Sequence, residues 1–427
     1  MPPFDAAVPT VMPPPSRAKL PRVRVMLLLG SLDGGGAERV AVNLFNRCDR
    51  SVVDVRIGLV RRQGPYLDDL DPARVVALPN HRGRVSDWIA TPANLARMIG
   101  AARPDVLMTF GMGIDLLTWP ALKLMGVRRP RWIGRQDSNP DAEIAQLTGN
   151  AVGRAVVGWA SRHTHGCADG VVAVAQDLAT RTDARAGRAA PLARAIYNPI
   201  DIAAIRRQAA EPLVNVPQRP FVVTAGRLVR QKGYDVLIDA FAKSPAARDM
   251  DLVILGQGPL EAALKAQAAV LGVAERVKFP GFQINPWAWF ARARLFVLAS
   301  RWEGFGNVVA EALACGVPAL VTDCDFGPRE QVEHGVSGWI TPSENAGAMA
   351  AALDTLLSND VLRAGLAVRG RRRAEAFDIE VIAREYTRLF LDVAERRGPI
   401  SAPARLASPS WGGPGRRFNA VRGGEVA

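Results

Sequence analysis

Residues Val23–Asn46 read VRVMLLLGSLDGGGAERVAVNLFN, a short apolar run followed by a glycine-rich turn and a helical pattern. The same order returns in Phe221–Lys243, which read FVVTAGRLVRQKGYDVLIDAFAK. A strand that passes through a glycine turn into a helix is the first unit of a doubly wound α/β domain. The two stretches therefore predict two such domains in one chain.

Short apolar runs alternate with longer helical patterns along most of the chain, which predicts parallel sheets covered by helices. We predict one Rossmann-like domain at residues 22–201, a linker at 202–216 and a second Rossmann-like domain at 217–377. The ends, 1–21 and 398–427, lack a periodic apolar pattern, and we expect them to be disordered. The predicted strands are Val23–Leu29, Val53–Val60, Val106–Thr109, Gly170–Val174, Phe221–Ala225, Leu252–Leu255, Leu295–Ala299 and Ala319–Thr322.

The composition limits the partners. Lys and Arg exceed Asp and Glu by 54 to 41, a net charge of +13, which indicates a nucleic acid, a phosphorylated substrate or an anionic membrane as partner. Four scattered cysteines and four histidines argue against a zinc site and fit a reducing compartment. The first apolar run is shorter than the ~20 residues of a membrane span. We therefore expect a cytoplasmic protein whose membrane contact, if any, is peripheral.

A second stretch, Ser300–Cys324, reads SRWEGFGNVVAEALACGVPALVTDC and places two acids around a glycine turn. We predict that Asn307 caps the helix after the turn and that Gly316 ends it. The start of such a helix favours a bound phosphate, and the carboxylates of Glu303 and Glu311 can accept hydrogen bonds from pairs of sugar hydroxyls. A capped surface helix with solvated acids is the alternative.

Cations and glycines follow other predicted strands. Arg227 and Lys232 lie on the loop after Phe221–Ala225, where two cations suit a diphosphate. Glycines also follow apolar runs in LGQGP (Leu255–Pro259) and VKFPGF (Val277–Phe282). Neither GxGxxG nor GxxxxGK[ST] occurs, which removes the usual support for dinucleotide or P-loop binding. Because α/β folds bind ligands at the carboxyl ends of their strands, we expect these groups to form one site.

Together these motifs resemble the retaining glycosyltransferases of family 4, which have the GT-B fold. The resemblance rests on Arg227, Lys232, the Glu303-x7-Glu311 pair and GVPALVTDCDFGPREQV, and in the first half on GGGAERV, ADGVVAVAQDLA and YNPID. It covers nearly everything between the two ends. It implies two Rossmann-like domains that face a central cleft, with a last helix, expected at 378–397, that crosses back to the first domain.

The resemblance also implies roles for single residues around a UDP- or GDP-linked sugar donor. Arg227 and Lys232 would neutralise the diphosphate, and Glu303 would bind the hydroxyls of the sugar, so these three are the implied catalytic residues. Glu311 would bind the ribose. The other implied donor-binding residues are Gly35 and Gly36 beside the diphosphate, Gly281 and Phe282 beside the base, and the backbone of Phe305, Gly306, Asn307 and Val308.

One segment departs from the family. Many relatives carry an REHN-like segment whose histidine lines the acceptor side, whereas this chain has GRQDSNP, with Gln136 and Asp137 in place of the Glu-His pair. This departure indicates a different acceptor. The acceptor-side candidates are Asp137 and His163, and the alternative for His163 is a helix surface or an interdomain position.

Two acidic tripeptides, DLD at Asp69–Asp71 and DCD at Asp323–Asp325, are similar to the DxD metal motif of the other major transferase fold. The resembled family does not use that motif, and its cations and helix dipole do the electrostatic work of a metal. We therefore expect a reaction without a metal cofactor. Ordinary turn acids are the alternative.

Basic clusters occur at GVRRPRW and RGRRR. We predict that Arg128, Arg129, Arg131 and Trp132 of the first cluster contact an anionic membrane. This contact would bring the cleft to a glycan or lipid-diphosphate-linked acceptor. Solvated surface is the alternative.

The leading hypothesis is a retaining hexosyl- or N-acetylhexosaminyltransferase in the biosynthesis of cell-surface polysaccharide or lipopolysaccharide. A nucleotide-sugar epimerase of the same fold is the alternative enzyme, and it would need an acid/base cluster around the hexose. A basic nucleic-acid-binding protein is disfavoured, because the chain has no helix-turn-helix or finger signature and no aromatics interleaved along a basic groove.

Overall fold

The computed structural model describes residues 22–79, 85–186, 192–213 and 217–395, and these fold into two α/β domains. The elements of the first domain are β1 (Val23–Leu29), α1 (Gly36–Arg47), β2 (Val53–Leu59), β3 (Val75–Ala77), α2 (Val85–Ala102), β4 (Val106–Phe110), α3 (Met112–Met125), β5 (Arg131–Gln136), α4 (Pro140–Leu147), α5 (Ala151–Cys167), β6 (Gly170–Ala173), α6 (Gln176–Ala186) and β7 (Ala193–Ala195). The described strands form one parallel sheet in the order β3-β2-β1-β4-β5-β6-β7.

The second domain is built in the same way on a parallel sheet whose described strands have the order β10-β9-β8-β11-β12-β13. The elements from its first helix to the end of the described chain are α7 (Ile202–Ala209), β8 (Phe221–Ala225), α8 (Tyr234–Lys243), β9 (Asp251–Leu255), α9 (Glu261–Val270), β10 (Val277–Gly281), α10 (Trp287–Phe290), β11 (Leu295–Leu298), α11 (Asn307–Cys315), β12 (Ala319–Asp323), α12 (Pro328–Gln331), β13 (Trp339–Pro342), α13 (Ala346–Leu357), α14 (Asp360–Ala374) and α15 (Ile379–Glu395).

The central strands are buried on both faces, which explains why the sequence predicts them as continuous apolar runs. β8 and β4 are buried along their whole length, as expected for parallel strands covered by helices on both sides. All eight predicted strands form; two match in both bounds and the others differ by one residue at one end. The prediction lacked β3, β5, β7, β10 and β13, which are short or contain Arg, Pro or Trp.

The last helix confirms the predicted return of the chain. α15 contacts α1, β1, β2 and β4 of the first domain and buries Ile382, Tyr386 and Phe390 there. The predicted linker at 202–216 contains α7, which packs on α10 and α11, and its residues 214–216 lie outside the described residues. The ends predicted to be disordered, 1–21 and 398–427, also lie outside them.

The carboxyl edges of the two sheets face each other and touch. The side chain of Asn198 donates to Oδ1 of Asn307 at 2.7 Å. A Cβ on Gly304, after β11, would overlap the backbone carbonyl of Asp137, after β5. The loops that follow the strands of both sheets therefore line one cleft, and glycine is required where they approach most closely.

Candidate active site

Lys232 and Glu303 form an ion pair at the carboxyl edge of the second sheet. Lys232 follows β8, and Glu303 follows the neighbouring strand β11. The Nζ atom of Lys232 lies 2.5 Å from Oε1 of Glu303, and the hydroxyl of Ser300 donates to the same oxygen at 2.7 Å. The carboxyl group of Glu303 is buried, and a buried carboxylate requires such partners. Two predicted residues that are far apart in the sequence thus form one charged unit.

Arg227 lies at the same edge, is exposed, and forms no ion pair with any residue that the structure describes. Its positive charge interacts electrostatically with Glu38 of α1 on the other side of the cleft. Burial raises the pKa of Glu38, and Arg227 opposes that rise. An exposed guanidinium without a protein partner can pair with a bound anion.

Gly35 and Gly36 form the start of α1 on the opposite side of the cleft. Gly35 occupies the cap position, both glycines are exposed, and a Cβ on Gly36 would lie 3.3 Å from the side-chain nitrogen of Asn307 in α11. The starts of α1 and α11 therefore face each other. Each places the positive end of a helix dipole at the gap, and at the start of α1 the carboxylate of Glu38 accepts a hydrogen bond from its own backbone. With Arg227 beside them, the two helix starts favour an anion in the gap.

The turn before α11 corrects one prediction. Gly306 occupies the cap position with φ 83°, a left-handed conformation that favours glycine. Asn307 is the first helical residue, and its side chain accepts the hydrogen bond from Asn198 instead of capping the helix. The predicted cap at Asn307 was wrong because the interdomain contact takes its side chain. Gly316 ends the helix at φ 79°, as predicted.

Phe305 and Val308 can offer only their backbone to a ligand. The Phe305 ring is buried between Tyr197 and Phe377, with centroid distances of 5.7 and 5.3 Å. Val308 lies in the first turn of α11 and is half-buried. The aromatic packing anchors the glycine turn to the rest of the domain.

Glu311 lies one turn further along α11 and accepts a hydrogen bond from the indole of Trp287 at 3.1 Å. Burial raises the pKa of Glu311, and Arg39 of α1 opposes that rise. Gly281 ends β10 at φ 79°, and the ring of Phe282 next to it is 69% exposed. The Phe282 ring is therefore accessible to a ligand. Sequence reasoning missed Trp287, although the aromatic run WAWF marked the position.

Asp137 forms an ion pair with Arg135. Its partner, Arg135, is fully buried, and the Arg135 guanidinium also donates to the hydroxyl of Tyr386 at 3.1 Å and to the side chain of Asn198. A buried guanidinium needs a nearby anion. Asp137 therefore neutralises Arg135, and its acceptor-side role stays a prediction.

His163 is not in the cleft cluster. It is exposed on the outer face of α5, where its ring stacks on Trp159 with centroids 5.4 Å apart and meets the ring of Trp119 edge-on at 5.1 Å. The structure therefore favours the helix-surface alternative for this residue. Residues two apart on a helix point to nearly opposite sides, so it is His165 that points into the domain.

His165 forms a buried polar cluster with Asp115 of α3. Its Nε2 atom lies 3.4 Å from Oδ2 of Asp115, and the hydroxyl of Thr109 donates to the other carboxylate oxygen. Asp115 is fully buried and His165 nearly so. Burial raises the pKa of the Asp115 carboxyl, and His165 opposes the rise. No sequence motif predicted the pair of Asp115 and His165, because the two residues are 50 positions apart in the sequence.

Glu143 of α4 lies on the cleft side of this pair. Its Oε1 accepts the backbone N–H of Met112 at the start of α3, at 3.1 Å. Burial raises the pKa of Glu143 to about 7; Asp115 adds to the rise, while His165 and Gln136 oppose it. A Cβ on Gly113 would meet no atom within 4 Å, so space is open beside the start of α3. A carboxyl group with a pKa near neutrality can bind a hydroxyl and exchange its proton.

The two acidic tripeptides begin at the ends of regular elements, since Asp69 ends a short 3-10 helix and Asp323 ends β12. Asp71 accepts the backbone N–H of Ala73, and Asp323 pairs with Arg329 at 3.2 Å. Across the described ranges, no group of three or more His, Cys, Asp and Glu side chains is arranged to hold a metal ion.

In the basic cluster GVRRPRW, the structure contradicts the predicted membrane contact for Trp132. Trp132 is buried in β5 and its indole donates to Thr109 at 2.9 Å. Arg129 and Arg131 pair with the buried carboxylate of Asp169 at 2.6 and 3.1 Å. The prediction was wrong for Trp132 because its ring belongs to the core, whereas the contacts predicted for Arg128, Arg129 and Arg131 stay predictions. None of the described helices combines the length and apolar character that a bilayer crossing needs.

Comparison with known proteins agrees with this geometry. Residues 34–204 match the model of the Glycosyltransferase Family 4 domain, and residues 206–373 match the model of the Glycosyl transferases group 1 domain. The first domain thus matches one glycosyltransferase family model and the second domain matches another, and the two facing parallel-sheet domains are a GT-B fold.

Two known proteins are similar in sequence to this chain, over different lengths. The chain is 35% identical over 196 residues to the N-acetylgalactosamine-N,N'-diacetylbacillosaminyl-diphospho-undecaprenol 4-alpha-N-acetylgalactosaminyltransferase of Campylobacter jejuni; the match covers 46% of this chain and 53% of that one, about half its length. It is 27% identical to the lipopolysaccharide core biosynthesis glycosyltransferase LpsE of Rhizobium meliloti, over 83% of this chain and 95% of LpsE.

Solved structures share the fold. Anabaena Alr3699/HepE, solved with UDP-glucose, superposes with a TM-score of 0.71 at 22% identity, covering 87% of this chain and 100% of that one. The lipopolysaccharide outer core galactosyltransferase WaaB superposes with a TM-score of 0.66 at 18% identity, covering 87% and 99%.

Proposed function

We propose that this protein is a retaining, nucleotide-sugar-dependent glycosyltransferase that extends a glycan or lipid-diphosphate-linked acceptor in cell-surface polysaccharide or lipopolysaccharide biosynthesis. The observation that carries the proposal is the donor-side constellation: the Lys232–Glu303 ion pair and the unpaired Arg227, set opposite the facing starts of α1 and α11. Cations and hydroxyl-binding acids around an anion-favouring gap suit a sugar linked to a diphosphate.

The donor side acts on the leaving group. When the bond between the anomeric carbon and the diphosphate oxygen breaks, its electron pair stays on the diphosphate. Arg227, Lys232 and the two helix starts would stabilise the charge that develops there. Glu303, held by Lys232 and Ser300, would accept hydrogen bonds from the sugar, and Glu311 would accept them from the ribose.

The acceptor side uses Glu143 in place of the predicted Asp137 and His163. Its carboxylate would accept a hydrogen bond from the incoming hydroxyl in the open space beside α3. The hydroxyl oxygen would then bond to the anomeric carbon on the face from which the nucleoside diphosphate leaves, and the hydroxyl proton would pass to the carboxylate of Glu143. Asp115 and His165 lie behind Glu143 and act through it as positioning residues.

Known relatives support this choice of substrates. The Campylobacter enzyme is named for a diphospho-undecaprenol acceptor, LpsE for lipopolysaccharide core biosynthesis, and the Anabaena structure contains UDP-glucose. We extend the donor class, a UDP- or GDP-sugar, and the acceptor class to this chain as part of the proposal.

The reaction is proposed to run without a metal, because Arg227, Lys232 and the helix starts can supply the positive charge at the diphosphate. Turnover should survive dialysis against excess EDTA. A complete loss that manganese or magnesium restores would assign a metal role to acids such as Asp323 and Asp325.

A nucleotide-sugar epimerase remains the second candidate, and one observation favours it: the cluster of Asp115, Glu143 and His165 is an acid/base cluster of the kind an epimerase needs. The test incubates UDP- and GDP-sugars with and without a membrane extract and analyses all products. Release of nucleoside diphosphate only with the extract, together with a glycosylated lipid, supports the transferase. An epimerised donor formed without the extract supports the epimerase.

A further inference from the structure

The outer face of α5 is apolar and exposed. Val152, Val156, Trp159 and His163 recur at a spacing that places them on one side of the helix. All four are exposed, with Val152 at 74% and Trp159 at 58%. A row of large apolar side chains in water marks an interaction surface.

The neighbouring helix α3 continues this surface. The edge of the Trp119 ring meets His163, and the end of α3 and the turn after it expose Leu124 and Val127. Of the twelve large hydrophobic side chains that are exposed in the described part of the chain, six lie within residues 124–159. The concentration in one region distinguishes this surface from isolated exposed residues. We call it the α3/α5 face.

The charges on and around the α3/α5 face are positive. Lys123, Arg128 and Arg162 are exposed, and none forms an ion pair with a described residue. α5 contains no Asp or Glu. The aliphatic stems of Lys and Arg can lie along an apolar surface while their charged ends reach outward. An anionic partner with an apolar interior therefore complements the face.

The α3/α5 face is also connected to the residues of the cleft. α3 begins directly after β4 at Met112, whose backbone N–H donates to Glu143 of α4, and α5 is the next helix after α4 in the chain. We propose that the α3/α5 face docks on an anionic lipid bilayer, with Trp159 and its apolar neighbours in the interface and the three cations at the lipid headgroups. This docking rests on the proposed function, since it would present a lipid-linked acceptor to the cleft.

A second copy of the chain is a poorer partner. A twofold interface pairs a surface patch with itself, so each of these cations would meet the same cations of the other copy. Like charges across an interface disfavour association, whereas an anionic leaflet neutralises them.

The test is vesicle flotation of the full-length protein without nucleotide. Vesicles of phosphatidylcholine are compared with equimolar phosphatidylcholine and phosphatidylglycerol, at low and at high salt. The two test variants are Val156→Ser with Trp159→Ser, and Arg128→Gln with Arg162→Gln. The matched controls on the second domain, which change equally exposed side chains, are Val361→Ser with Val368→Ser, and Arg248→Gln with Arg372→Gln.

We expect the wild type and both controls to float with the anionic vesicles at low salt, and less at high salt because exposed charges are screened. Each charge removed by the arginine variant should weaken binding about fivefold, and the Val156/Trp159 variant should remain in solution. The inference is overturned if the wild type ignores anionic vesicles at low salt, if it binds phosphatidylcholine equally well, or if both test variants float like the wild type.

Two further measurements keep the outcomes separate. Titration with UDP and GDP in the absence of vesicles should give wild-type affinity for both test variants, so a failed donor site and a failed membrane face are distinguishable. If the wild type is dimeric by light scattering, the Val156/Trp159 variant is monomeric and neither binds vesicles, the face is a contact between copies and the membrane inference is wrong.

Discussion

The two sides of the cleft differ in how their chemistry is encoded. On the donor side, charged residues come within a few positions of the ends of buried strands, as Arg227 and Lys232 do after β8 and Glu303 does after β11. On the acceptor side, Asp115, Glu143 and His165 come from three different helices and meet only in the folded domain. The donor-side residues can therefore be predicted from local sequence, whereas the acceptor-side cluster depends on how the helices are oriented and packed.

The largest expected effect concerns Lys232. Lys232→Ala should lower turnover by about 100-fold or more, because it removes a cation from the developing charge of the leaving group. The measurement is donor turnover together with a thermal melt. Lys243→Ala is the matched control, since Lys243 forms an exposed pair with Asp239 on the domain surface. Near wild-type turnover in Lys232→Ala would remove this residue from the site.

Glu311→Gln should raise the KM for the donor about tenfold, with kcat less affected. Replacing the carboxylate by an amide weakens hydrogen bonds to the ribose, and hydrogen bonds to charged groups are worth about 1.5–3 kcal/mol. Steady-state kinetics at varied donor concentration measure the effect. An unchanged donor KM in a folded variant would contradict the ribose assignment.

Glu143→Gln should change the pH dependence as well as the rate. The pKa of Glu143 is raised to about 7, so the group is protonated below that pH and ionised above it. If the ionised carboxylate of Glu143 accepts a hydrogen bond from the hydroxyl of the sugar acceptor, kcat/KM for that substrate should rise with pH through about 7 in the wild type. In Glu143→Gln that limb should be absent and the rate lower, about tenfold at pH 8. If the variant keeps the same rise of kcat/KM with pH, a group other than Glu143 is responsible for that rise.

The smallest expected effect is at His163. His163→Gln should leave transfer to a water-soluble acceptor within about twofold of wild type, since surface residues away from a site have small effects. His165→Gln should lower that rate by a larger factor, because it removes the group that faces Asp115 behind Glu143. The assay compares the two variants side by side, and a larger loss in His163→Gln would reverse our assignment of the two histidines.

The predictable part of the molecule is the part that local patterns determine. The eight predicted strands are runs of apolar residues that the sheets bury, and the GFGN turn requires glycine at a left-handed position. β5 escaped prediction because its RWIGRQ sequence carries two arginines, one of them buried against Asp137. The cap at Asn307 and the membrane contact of Trp132 failed for a similar reason: an interdomain hydrogen bond and a core position, both tertiary, override the local preference.

The central claim is that the second domain holds the donor while Glu143 of the first domain serves the acceptor. Calorimetric titration of UDP and GDP into the wild type, Lys232→Ala and Glu143→Gln tests it most directly. The account predicts that one of the two nucleotides binds the wild type and Glu143→Gln with equal affinity and binds Lys232→Ala at least about tenfold more weakly. Equal losses in both variants, or wild-type affinity in Lys232→Ala, would contradict this division of the cleft.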